Sequence, residues 1–62
     1  MTPEYGKVYE IEFEEVHEVF NFRARCICEQ PLENGLYLFD CDGEEVEVMK
    51  EDIIREISIE LA

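Results

Sequence analysis

Apolar and polar residues alternate along most of this chain with a period of two. Tyr9, Ile11 and Phe13 interleave with Glu10, Glu12 and Glu14, the pattern of a strand with one buried and one solvated face. Phe20, Phe22, Ala24, Cys26 and Cys28 alternate with Asn21, Arg23, Arg25 and Glu29 and predict a second strand. Leu36 to Cys41 predicts a third and Glu44 to Met49 a fourth, while Ile57, Ile59 and Leu61 set against Ser58 and Glu60 predict a fifth.

Two turn signals predict the pairing. Asp42-Gly43 between apolar runs is a two-residue hairpin signal that sets Cys41 opposite Glu44, Phe39 opposite Val46 and Tyr37 opposite Val48. Asn34-Gly35, read the same way, sets Leu32 opposite Tyr37 and Cys28 opposite Cys41. Both hairpins give one inner face, made of Phe22, Ala24, Cys26, Cys28, Tyr37, Phe39, Cys41, Val46 and Val48. A one-residue slip would invert a strand and break that agreement. Pro31 cannot donate to a ladder, which places it at a bulge or an edge. Lys50-Glu51-Asp52 interrupts the alternation and fits a short helical turn. A helix from Met49 to Glu60 competes with the last strand, because Ile53, Ile54 and Ile57 would share one of its faces. The β-branched residues of Ile57-Ser58-Ile59 favour the strand.

The Asp42-Gly43 hairpin, then Val46-Glu47-Val48-Met49, then Glu51-Asp52-Ile53 resembles the distal loop, fourth strand and helical turn of the small barrel shared by Src-homology-3, Tudor and Sm-like domains. The resemblance covers Lys7 to Leu61 and implies an all-β fold: a five-stranded antiparallel barrel, residues 1–62 forming one domain, with the helical turn before the last strand. The chain lacks the Ala-Leu-Tyr-Asp-type segment of peptide-binding Src-homology-3 domains, an obvious Tudor aromatic cage and the Sm residues that bind uridine-rich RNA. Function therefore has to be sought in a site and not in the fold.

Composition bears on that question. The chain has 62 residues, 47% of them hydrophobic, with four Phe and three Tyr, which fits a folded domain and not a disordered acidic tail. A domain this small buries about 60% of its unfolded surface and has little stability to spare. Seventeen acidic residues against five basic ones leave a formal charge of -12. Self-repulsion at that density weakens the compact state, so the charge asks for a reason beyond solubility. The N-terminal residues lack the basic and apolar segments of a signal peptide, and no apolar run nears the roughly 20 residues of a membrane helix. With an odd number of cysteines, three, a reduced cytoplasmic protein is expected.

Glu10, Glu12 and Glu14 would project from one strand face about 6.7 Å apart. A DNA strand carries a phosphate about every 3.4 Å, so neighbouring acids would have to fill the gaps. Glu44, Glu45 and Glu47, with Asp40 and Asp42, are placed to do so, and Glu15 and Glu18 extend the first ladder. Such a surface would occupy a basic groove that normally holds nucleic acid, with fast and salt-sensitive association. The same ladder also fits a solvated face, with Arg23 and Arg25 as cross-strand partners of Glu10 and Glu12. The hairpin register turns Leu36, Leu38 and Met49 outward, with Ile27 beside them, flanked by Glu45 and Glu47. An apolar patch with an acidic rim suits an interface, although the last strand or the N-terminal segment would cover it in a closed barrel.

Cys26, Cys28 and Cys41 with His17 supply the ligand count of a zinc site, but without a Cys-x-x-Cys knuckle, and packing of buried thiols is the favoured reading. A Cys28–Cys41 disulfide is disfavoured in a reducing compartment. Asp40-Cys41-Asp42-Gly43-Glu44-Glu45 lacks the spacing of an EF-hand and reads as a hairpin tip. No nucleophile can be paired with His17, and no enzyme and no cofactor are expected.

The reading that follows is a small acidic inhibitor that mimics nucleic-acid charge and blocks a basic, nucleic-acid-handling host or defence protein, binding neither nucleic acid nor membrane. Glu10, Glu12, Glu14, Glu45 and Glu47 would make the charge contacts, and Leu36, Leu38 and Met49 the apolar anchor. In size, acidity and β architecture the chain is similar to phage-encoded acidic anti-defence proteins, including anti-CRISPR proteins. The alternative is a self-associating structural or adaptor module of the Sm-like or Src-homology-3-like type, a homodimer among its forms.

Overall fold

The computed structural model describes residues 1–57. Its elements are β1 (Val8–Glu15), β2 (Glu18–Cys26), β3 (Tyr37–Cys41), β4 (Glu44–Val48), a 3-10 turn (Lys50–Asp52) and β5 (Ile53–Ile57). All strand pairs are antiparallel, and the order across the sheet is β4-β3-β2-β1-β5. Among the described residues no helix is long and apolar enough to cross a membrane.

The β3–β4 hairpin has the expected register, with Cys41 opposite Glu44, Phe39 opposite Val46 and Tyr37 opposite Val48. Asp42 and Gly43 both have positive φ, +51° and +90°, the signature of the turn whose twist matches its flanking strands. The core consists of Tyr9, Ile11, Ala24, Cys26, Tyr37, Phe39, Val48 and Ile53, with Phe22, Cys28, Cys41 and Val46 packed against it. All nine residues expected on the inner face are therefore in or against the core. Tyr9 and Phe39 lie on strands separated by β2, yet their rings meet edge to face at 6.0 Å, because the sheet folds its apolar side inward. The Tyr9 hydroxyl accepts from the Glu4 N–H at 2.8 Å, so this buried phenol also holds the N-terminal segment against the sheet.

Two expectations are corrected, and a third is met in part. The Asn34-Gly35 segment does not join two strands in a two-residue turn. Strand β2 stops at Cys26, which lies opposite Phe39, and Arg25 lies opposite Asp40, a shift of four residues from the expected pairing. One further backbone bond, from the Ile27 N–H to the Leu38 carbonyl, extends the ladder, and then the Cys28 thiol accepts from the Leu38 N–H. Pro31 follows and has no N–H to give. The Gly35 N–H donates back to the Leu32 carbonyl and closes a tight loop there instead. Because four is an even number, the shift leaves every side chain on its expected face.

The last strand is the second correction. The helical turn falls at Lys50–Asp52 as expected, but β5 begins directly after it at Ile53, so a helix does not run through Ile53–Ile57. The expected strand positions Ser58, Ile59, Glu60 and Leu61 lie outside the described residues. Between Glu10 and Ile11 the β1–β5 register shifts, and Ile53, not Ile54, stands opposite Ile11. This bulge turns Ile53 into the core and leaves Ile54 exposed.

The third concerns closure. The five antiparallel strands and the helical turn before the last are as expected, and the described sheet is not closed, with β4 and β5 as its edges. β1 and β2 are eight and nine residues long and the other strands five. The long hairpin therefore outruns its neighbours. β5 pairs with β1 only up to Ile11, and β3 ends level with Ala24 when the β2–β3 register is continued. Residues 12–21 project as a two-stranded arm with no strand on either side, and every one of them is exposed.

Candidate binding surfaces

The arm carries its own apolar and acidic sides. Phe13 and Phe20 are directly opposite in register and stack at 5.2 Å, and the Phe22 ring meets Phe13 edge-on at 5.3 Å. Such pairs contribute about 0.5–1.5 kcal/mol beyond the area they bury. Phe13 and Phe20 nevertheless remain 37% and 41% exposed, too much for a core pair. The other face holds Glu12 and Glu14, opposite Asn21 and Val19, and at the tip Glu15 faces Glu18. Like charges directly opposite destabilise a ladder. The turn itself is Val16-His17, both at positive φ, +48° and +65°. A β-branched residue at such φ is an outlier that costs about 1–3 kcal/mol. A two-stranded ribbon is marginal in water even without these charges.

Four glutamates and no Lys or Arg fall within residues 12–21, a formal charge of -4. The sheet proper is different. Across its outer face Glu10 lies opposite both Arg23 and Arg55, Arg25 lies opposite Val8 and Asp40, and Glu45 lies opposite Asp40. The expected bridges from Arg23 and Arg25 to Glu10 and Glu12 do not form. Glu10 instead pairs with Arg55 Nε at 2.9 Å and accepts from Asn21 Nδ2 at 3.1 Å. Arg25 donates to the Gly6 carbonyl at 2.6 Å. The bulge at Ile54 is what aligns Arg55 with Glu10, and Asn21, diagonal to Glu10 across the β1–β2 ladder, donates to the same carboxylate.

The sequence-predicted contact residues thus fall in two groups. Glu10, Glu12 and Glu14 follow β1, whereas Glu45 and Glu47 lie on β4, three strand spacings or about 14 Å away, with Arg23 and Arg25 between them on β2. Glu47 accepts from Asn34 Nδ2 at 2.9 Å, which ties the 32–36 loop to β4. Of the apolar residues, Met49 is 48% exposed, while Leu36, Leu38 and Ile27 are half-buried.

The thiols do not meet as a ligand set. Among the described residues no three of His, Cys, Asp and Glu are grouped so as to hold a metal ion. His17 is at the tip of the arm, while Cys26 and Cys28 lie at the opposite end of β2, their sulfurs 4.0 Å apart. The revised β2–β3 register also separates Cys28 from Cys41, and all three cysteines are free. Burial pushes the Cys26 thiol up, and Cys41 is raised by desolvation first and then by the carboxylates of Asp42, Glu44 and Asp40. Both shifts favour the protonated thiol, which is neither a nucleophile nor a metal ligand.

On the inner side, an open groove of about 400 Å³ runs from the base of the arm to the β3–β4 hairpin. Ile11, Phe13, Phe22, Cys41, Val46 and Val48 are its apolar lining, and Glu12, Glu44, Glu47 and Asp52 its acidic lining, with no basic residue. Sequence reasoning missed both groove and arm. The available signal was the unequal spacing of turn residues, which makes the first hairpin longer than the strands beside it. No family model matches this chain, and no curated protein or solved structure matches it.

Proposed function

We propose that this chain is a non-catalytic inhibitor that binds a basic, nucleic-acid-handling protein and occupies the surface that protein offers to phosphates. The observation that carries the reading is the projecting arm, four carboxylates on ten residues with no Lys or Arg among them. Three of the five cations, Arg23, Arg25 and Arg55, lie on the outer face of the sheet, so the arm displays its charge apart from them. A narrow, densely negative ribbon suits a cleft lined with Lys and Arg, and such charge raises association rates more than final affinity. The strand order, with the helical turn before β5, agrees with the small-barrel resemblance; the arm, not the barrel, supplies the contact surface in this reading.

A second reading, a self-associating module, draws support from the open edges of β4 and β5. Each copy carries -12, which opposes that association and makes it salt-promoted, the reverse of the first reading.

One experiment separates them. The immobilised chain is offered a cell lysate at about 0.1 M and about 1 M salt, between which the Debye length falls from about 10 Å to about 3 Å. The expected capture is of basic nucleic-acid-binding proteins, released by high salt, displaced by added DNA, and lost with a variant in which Glu12, Glu14, Glu15 and Glu18 are all changed to Gln. Capture indifferent to salt and to DNA overturns the proposal. Sedimentation that shows dimers growing with salt supports the second reading.

A further inference from the structure

The groove adds a component that charge alone does not supply. Its floor is apolar and includes Phe13 and Phe22, while acidic residues border it from three elements: Glu44 from β4 and Asp52 from the 3-10 turn, with Glu12 of β1 and Glu47 of β4 at positions whose side chains alternate to the outer face. Four of ten lining residues are acidic and none is basic. An apolar ligand would fill the floor and leave the carboxylates unused, and a simple cation would do the opposite. Arginine and lysine do both, since their aliphatic stems pack on apolar surface while their heads reach water or a carboxylate. Aromatic faces add attraction for the cation. The groove is open and not enclosed, so it admits a chain that passes through it and not only a free small molecule.

We propose that this groove docks an extended segment of the partner in which arginine or lysine alternates with apolar residues. The cationic heads meet Glu44 and Asp52, and the apolar side chains lie on Phe13, Phe22 and Val46. This deepens the proposed function and rests on it for the partner's basic character. A second copy of the chain is not the occupant, because its charge of -12 would meet a groove that has acidic residues and no basic one. The arm forms one wall of the groove through Phe13, so occupation also covers part of a ribbon that has no strand on either side.

The probe is a synthetic peptide of alternating Leu and Arg, titrated into the intact chain while backbone amide resonances are followed. The expected result is that Ile11, Phe22 and Val46 shift, and that a Leu/Gln peptide and an Arg/Gly peptide each bind at least about tenfold more weakly. A chain with Glu44→Gln and Asp52→Asn, which leaves the apolar floor intact, binds the Leu/Arg peptide about tenfold more weakly and with less salt dependence. Equal binding of the Arg/Gly peptide, equal binding of the Leu/Gln peptide, or shifts confined to the outer face each overturn the inference. Partner capture that is lost when the arm glutamates become Gln but unchanged in the Glu44→Gln, Asp52→Asn chain sinks the groove and spares the proposed function. Peptide binding in the groove, with no basic protein captured from lysate, sinks the proposed function instead.

Discussion

Phe13 and Phe20 stack at 5.2 Å across the β1–β2 ladder at a point where neither strand has another neighbour. In a sheet interior such a pair would join a core. Here it belongs to a ribbon held otherwise by its own ladder, by the edge-on contact of Phe22 with Phe13 and by the Asn21–Glu10 hydrogen bond at its base. The arm therefore lacks the lateral support that the rest of the sheet has, and it carries four carboxylates on ten residues with no Lys or Arg. Stability and proposed contact surface are drawn from opposite ends of the same hairpin: Tyr9, Ile11, Ala24 and Cys26 are buried at one end, and residues 12–21 are exposed at the other.

Phe20→Ala tests this division. The side chain is already 41% exposed, so the loss is mainly the stack, about 1 kcal/mol. Amide hydrogen exchange should quicken in the arm from Glu12 to Asn21 and stay unchanged at Ile11, Ala24 and Phe39. Uniform acceleration across all strands would mean that the arm is part of the cooperative core.

The Val16-His17 turn gives a prediction of opposite sign. Both residues hold a left-handed conformation that Asn and Gly adopt readily and valine does not. Val16 is 83% exposed, so no packing compensates. Val16→Asn with His17→Gly should raise stability by about 1 kcal/mol or more, read as a higher denaturant midpoint with an unchanged slope. A lower midpoint would show that the Val16 side chain makes a contact that offsets its backbone strain.

Charge supplies a third. With -12 on 62 residues, repulsion opposes the folded state, and the ion pairs of the described residues are on the surface, Lys7 with Glu4 and Glu56, and Arg55 with Glu10. Exposed pairs of this kind are each worth about 0–1 kcal/mol, so added salt removes more repulsion than attraction. Thermal midpoint should rise as sodium chloride increases from about 0.01 M to about 1 M. A falling midpoint would place more weight on the three pairs than their exposure allows.

How far the sequence could lead is plain from particular residues. Alternation assigned Phe22, Ala24, Cys26, Tyr37, Phe39 and Val48 to one face because side-chain direction in a strand depends only on parity. Asp42-Gly43 set the β3–β4 register because that dipeptide favours one turn. Asn34-Gly35 misled because the same dipeptide also closes a loop that no strand enters, and Cys28 and Pro31 had already ended the ladder. Alternation alone could not show the arm, for a related reason. Phe13 and Phe20 obey the same parity as Ile11 and Phe22, and parity says which way a side chain points without saying whether anything lies beyond it. Arg55 could not be matched to Glu10 because that alignment requires the bulge at Ile54, which no local pattern announces.

Cys26 makes the chain sensitive to alkali. Its side chain is fully buried, and its thiol lies above the ordinary value of 9.0, with burial as the largest cause. In the folded state the proton is therefore held to higher pH than in the unfolded chain. Between those two values the unfolded state binds fewer protons, so stability falls as pH rises. The contribution is fully present below pH 9.0 and is lost progressively above it. Lys7 adds to the same trend at higher pH, because its hydrogen bond and attraction to Glu4 raise it above 10.5. The expected result is a thermal midpoint that drops above pH 9.0, with a smaller drop in Cys26→Ala, whose cavity lowers stability equally at every pH. An alkaline drop of the same size in both proteins would mean that Cys26 ionises as freely inside the fold as outside it.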